Sequence, residues 1–177
     1  AWNGTSAGWL GFEADRKLCR EITAATGISA TTSTLALAEA FEVAGVARYA
    51  LVTPYLDEIQ EKIVANFASE GFACVAERHL NDKGNFSFSE VTEESIAGMV
   101  RDVAAGKPQA ITTYCTNLRG APVVDELERE LGIPIFDSIS AVVWKSLLIA
   151  GVDPGGIMGW GRLFSDQTMA WTKVRHA

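Results

Sequence analysis

Three cysteines in 177 residues, with no Cys-x-x-Cys pair, leave no material for a disulfide framework. Histidine is scarcer still. His79 and His176 stand far apart, and no Cys/His cluster has zinc-ligand spacing. Positive charge is also in short supply: 15 Lys and Arg face 22 Asp and Glu, for a net charge of −7. That balance argues against a nucleic-acid backbone or an anionic membrane surface as partner. No apolar run approaches the roughly 20 residues that span a bilayer. The thiol count and spacing fit a reducing cytoplasm, which is the expected location. What is present is ordinary for a folded protein: 48% hydrophobic residues, 21% charged residues and a mean hydropathy of +0.13. The length suits one domain or two small lobes.

Apolar runs alternate with helical patterns. Arg48–Thr53 reads as a buried strand, and residues 55–70 carry Leu56, Ile59, Ile63, Val64 and Phe67 at helical spacing. Further strands are expected at 72–76, 110–114 and 133–136, and further helices at 93–105, 121–131 and 141–150. Gly132 and Gly151 stand where helix C-caps belong. Strand–helix alternation with short connections predicts an α/β fold with a mainly parallel sheet flanked by helices. Such sheets place their chemistry at the carboxyl ends of the strands.

The chain also resembles itself. Gly4-Thr5-Ser6 opens a segment running through Gly27-Ile28 and Thr32-Ser33-Thr34 to Gly45-Val46. Cys115-Thr116-Asn117 opens a second, running through Gly132-Ile133 and residues 138–142 to Gly151-Val152. Gly27 and Gly132 are 105 residues apart, Gly45 and Gly151 are 106, and the two openings are 111. We read an internal duplication giving two pseudo-symmetric lobes with a cleft between them. Residues 46–149 form one lobe, and residues 1–45 with 150–177 form part of the other. The second segment is preceded by a strand-and-helix stretch that the first lacks. A partial chain, short of about 60–75 N-terminal residues by that repeat logic, is therefore expected.

In each repeat a loop after a central strand offers small, hydroxyl or amide residues and then a helix start. Successive backbone N–H groups in such a turn form an anion pocket, and a thiol there is expected to be acidified. Cys115 ends the strand at 110–114 and enters one such turn; a buried structural cysteine is the other reading. Thr5 and Ser6 suit either a helix cap or a ligand. Tyr55 follows Thr53-Pro54 at a strand end, facing a cleft or packing in the core. Asn117 either caps a helix or binds substrate. Cys19 and Cys74 fit packing roles, and His79 fits a surface or loop-packing role. The tail at 166–177 carries Met169, Trp171 and Val174 near helical spacing, for docking on the body or on a second copy in a homo-oligomer.

These residues together resemble the aspartate/glutamate racemase superfamily, in its arylmalonate decarboxylase and maleate cis-trans isomerase branch. The resemblance runs from Asn3-Gly4-Thr5-Ser6 through Leu51-Val52-Thr53-Pro54-Tyr55 to Tyr114-Cys115-Thr116-Asn117. It continues through Leu131-Gly132-Ile133-Pro134 to Gly159-Trp160-Gly161-Arg162-Leu163-Phe164. It implies two similar α/β lobes, an active site between them, no cofactor and a small carboxylate substrate. Racemases and maleate isomerases of this kind use one cysteine from each lobe. Here the second lobe has Cys115, while Gly4 stands at the first-lobe position and supplies no acid or base. Decarboxylase-like members share Gly-Thr-Ser there with a single catalytic cysteine. By that resemblance Gly4, Thr5, Ser6, Tyr55, Thr116 and Asn117 bind the carboxylate and Cys115 protonates one face of an enediolate. Thr116-Asn117 departs from the glycine pair of arylmalonate decarboxylase, and Asn117 suits a polar substrate. The leading expectation is a lyase. The alternatives are an isomerase or racemase using Cys115 with an unusual partner, and a carboxylate-binding protein without chemistry.

Overall fold

The computed structural model describes residues 1–165. The tail at 166–177, whose docking was anticipated above, lies outside the described residues. Four strands form one parallel sheet in the order β2-β1-β3-β4: β1 (Arg48–Thr53), β2 (Ala73–His79), β3 (Ala110–Thr113) and β4 (Ile135–Asp137). The two central strands are buried almost throughout because helices cover both of their faces. Strand alternation divides the core. Tyr49 and Leu51 point into a cluster with Phe41, Phe67, Phe136 and Trp144. Ala50 and Val52 point the other way, into a cluster with Ile96, Val100, Ile111 and Leu127. Each fully buried Phe or Leu contributes about 1.5–3 kcal/mol, so the two layers together fix the sheet.

Around the sheet stand α1 (Ala7–Leu10), α2 (Phe12–Thr26), α3 (Ser33–Val43), α4 (Asp57–Ser69), α5 (Glu93–Ala104), α6 (Val124–Leu131), α7 (Ser138–Ile149) and α8 (Arg162–Ser165). The helix expected from residue 55 begins only at Asp57, because the chain leaves Pro54 with Leu56 still extended. α7 begins at Ser138, three residues earlier than the apolar pattern indicated. The cause is Asp137, whose carboxylate accepts the N–H groups of Ile139 and Ser140 at 2.9 and 3.1 Å and so caps the helix. Pro122 turns the first three residues of the 121–131 segment into a 3₁₀ turn. β2 runs on to His79, beyond the expected end at residue 76.

The repeat spacing reappears in three dimensions. Gly27 and Gly132 close α2 and α6 with the same left-handed backbone, φ 71° and ψ 5°. An isolated parallel bridge pairs Trp2 with Thr32, as Thr113 pairs with Asp137 in the sheet. Those partners are 111 and 105 residues apart along the chain, the same offsets as the sequence landmarks. Thr32 caps α3 by accepting the Leu35 N–H at 3.1 Å, as Asp137 caps α7. α3 and α7, both apolar on nearly every side, pack against each other and are tied by a Lys145–Glu39 ion pair.

Candidate active site

Thr53, His79, Thr113 and Asp137 end their strands at one level of the sheet. Above that carboxyl edge lies a cavity of about 450 Å³. Gly4, Thr5, Ser6, Tyr55, Cys115, Thr116 and Asn117 all line it. The sequence distributes these seven over three distant segments, and the fold brings them to one place. Its remaining wall is Trp2, Trp9, Ile59, Lys83, Gly84, Asn85 and Phe88. Among the described residues no Asp or Glu lines the cavity, although the chain carries 22 of them.

A chain of hydroxyls crosses the cavity. Tyr55 Oη and Thr5 Oγ1 lie 2.8 Å apart, and the Tyr55 ring and the Cys115 thiol line the same cavity. Tyr55 is held edge-on between Trp9 and Phe88, at centroid distances of 5.2 and 5.6 Å. Beneath, the buried Tyr114 hydroxyl donates to the Thr5 carbonyl at 3.0 Å and receives the Thr34 hydroxyl at 2.7 Å. Tyr114 therefore bolts the first segment onto the end of β3, a positioning role that sequence reasoning missed. Gly8 permits this approach, since a Cβ there would stand 2.6 Å from the Tyr114 ring.

Cys115 is 3% exposed yet lines the cavity. Burial pushes its thiol above the ordinary value, and the Tyr55 hydroxyl and the Asn117 and Leu118 amides only partly offset that. The expectation of an acidified thiol is thus reversed: desolvation outweighs the turn's donors. Burial also raises Tyr55 and Tyr114, so both hydroxyls stay neutral donors. Under the thiol's turn lies Asp137, fully buried, whose carboxyl burial pushes up to about 6.

Thr5 and Ser6 do not cap α1 with their side chains. Asn117 caps nothing either; its amide donates to the Asn85 carbonyl at 3.2 Å and to the Asn85 side chain at 2.7 Å. Gly4 lies against the Trp2 indole, where a Cβ would meet Nε1 at 2.5 Å. His79 packs a loop, as expected, bridging Asp57 and Glu77 at 2.7 Å each. Cys19 and Cys74 lie away from the cavity lining. Among the described residues, no three His, Cys, Asp or Glu side chains gather as a metal site, and no helix is long and apolar enough to cross a membrane. Lys83, Gly84 and Asn85 escaped the sequence reading because they sit in a polar loop without periodicity. Their signal was its place directly after a parallel strand.

Comparison with known proteins gives consistent results. The arylmalonate decarboxylase family matches residues 2–164. The chain is 31% identical over 144 residues to an arylmalonate decarboxylase from Bordetella bronchiseptica, covering 80% of this chain and 60% of that protein. It is 30% identical over 129 residues to a maleate isomerase from Nocardia farcinica, covering 72% and 51%. The chain thus spans between half and three fifths of the length of these curated relatives. A crystallised Nocardia farcinica maleate cis-trans isomerase mutant, carrying a covalently bound succinylcysteine intermediate, superposes with a TM-score of 0.84 at 25% identity. That match covers 92% of this chain and 69% of the other.

Proposed function

The chain belongs to the arylmalonate decarboxylase family, and from that premise we propose a cofactor-independent lyase that decarboxylates a small carboxylic acid through an enediolate, with Cys115 as proton donor. One observation carries the reading: the Cys115 thiol and the hydrogen-bonded Tyr55 and Thr5 hydroxyls line one cavity that, among the described residues, holds no carboxylate. A site that excludes negative charge in a chain of net charge −7 is suited to an anion.

The substrate's retained carboxylate takes hydrogen bonds from Thr5, Ser6 and Tyr55 and from the Thr116 N–H. Its neighbouring carboxylate lies against the apolar wall of Trp9, Ile59 and Phe88, where the ionised form is poorly solvated. The bond to that carboxylate breaks and CO₂ leaves. The electron pair passes to the α-carbon and delocalises into the retained carboxylate as an enediolate. Donors aimed at this developing charge each contribute about 3–4 kcal/mol. The α-carbon then takes the proton from the Cys115 S–H, and the thiolate recovers one from water. A raised thiol pKa serves this step, since the group is almost wholly protonated at neutral pH.

The lobes proposed for this cleft are residues 46–149 on one side and residues 1–45 with those from 150 onward on the other. Three free cysteines favour a cytoplasmic setting. The proposed partner is the small carboxylate alone, without nucleic acid or membrane, in a monomer or homo-oligomer. A two-thiol racemase is not favoured, because Gly4 carries no acid and the Trp2 indole stands beside it. The test is incubation with substituted malonates in D₂O. Release of CO₂ with one deuterium at the product's α-carbon is expected. Exchange without CO₂ would replace the lyase by an isomerase or racemase, and binding without either would leave a binding protein.

A further inference from the structure

Among the described residues Lys83 is the single cation lining the cavity, and it makes no ion pair with any of them. The loop presenting it is held tightly. Asp82 accepts the Gly84 N–H at 2.8 Å and the Ser87 hydroxyl at 2.6 Å, so its carboxylate is committed within the turn. Those bonds also hold the Asp82 carboxyl below its usual range, hence ionised. The Asp82 N–H donates to the Pro54 carbonyl at 3.0 Å, next to Tyr55. Gly84 makes the turn possible, since a Cβ there would fall 2.2 Å from the Ser87 hydroxyl. Asn117, beside the reactive turn, grips Asn85 by its carbonyl and side chain. A fixed loop with an unspent cation therefore faces a cavity whose other side-chain donors among the described residues, hydroxyls, a thiol, amides and indoles, are neutral.

We propose that Lys83 determines specificity by binding a second acidic group of the substrate, carried on the part remote from the reacting α-carbon. This rests on the carboxylate site proposed above and goes further, since it assigns the remote end an anionic group instead of an apolar one. Asn117 acts through Asn85 as a positioning residue for the loop. The cation's long stem allows diacids of more than one length, whereas a neutral remote end leaves the ammonium to water.

The matched pair succinate and butyrate isolates the second acidic group at constant chain length. Calorimetry on the full chain is expected to show succinate binding about tenfold tighter than butyrate, as one charge-assisted contact gives. Lys83→Met is expected to erase that difference while leaving butyrate affinity unchanged, and Lys83→Arg to preserve it. A loop that had merely lost its shape would weaken both acids alike and would overturn the proposal. Equal binding of both acids by the unaltered protein would also overturn it, yet leave the carboxylate site standing. Failure of both acids to bind would instead remove the carboxylate reading itself.

Discussion

The segment opening at Gly4 and the segment opening at Cys115 are built on one frame and equipped differently. Both pass a parallel bridge, a capped apolar helix and a glycine in the left-handed region. In one, the turn carries Gly4, Thr5 and Ser6 beside an indole; in the other, it carries a buried thiol. The frame sets where a group can stand, and under the proposed function single residues decide whether it donates hydrogen bonds or a proton.

The largest expected effect comes from making the second segment as inert as the first. Cys115→Ala is expected to lower turnover by about 10³-fold or more, near the upper end for loss of a proton-transfer group. Circular dichroism and carboxylate binding should be unchanged. Unaltered kinetics would remove Cys115 from the mechanism.

The converse change gives the first segment a thiol. Gly4→Cys alone is expected to fail, because its Cβ would stand 2.5 Å from Trp2 Nε1, well inside the contact distance of about 3.5 Å. Combined with Trp2→Ala it should add exchange of the α-proton of a chiral product acid in D₂O, read by NMR. Exchange in the single variant would show that the indole yields readily.

The smallest effect comes from exchanging the caps. Asp137→Thr puts the first segment's cap in the second, retaining a side-chain acceptor for α7. The folded protein raises the Asp137 carboxyl to about 6, so the fold favours its protonated form. That contribution is complete below the ordinary carboxylate range and is lost as pH rises through about 6. Denaturant titrations should show this fall in the parent protein and a flatter profile in the variant. The variant should also lose about 1 kcal/mol throughout from the unpaired Thr113 hydroxyl. Identical profiles would mean that Asp137 does not titrate in this range.

Much of this was legible in the sequence. The apolar run at Arg48–Thr53 marks a strand buried on both sides, and the structure keeps those limits. Helix limits were less legible where side chains outside the apolar pattern set them, as Asp137 does for α7. The seven cavity residues were singled out by the internal repeat and by the family resemblance, while the local pattern alone left each of them open to a packing or capping role. Lys83 and Tyr114 left none: the first lies in an aperiodic loop and the second reads as an ordinary strand-end aromatic. The direction of the Cys115 shift was misread for a related reason. Turn amides can be inferred from neighbours in sequence, whereas desolvation depends on every element that closes over the thiol.

The central claim is that Cys115 works as a buried, protonated thiol in a carboxylate cavity. Site-resolved alkylation by iodoacetamide, followed by peptide mass spectrometry over a range of pH, measures this directly. The rate at Cys115 should rise only above the ordinary thiol range and should slow when a small carboxylate is present. A midpoint below neutral pH, or a rate indifferent to carboxylates, would contradict the account.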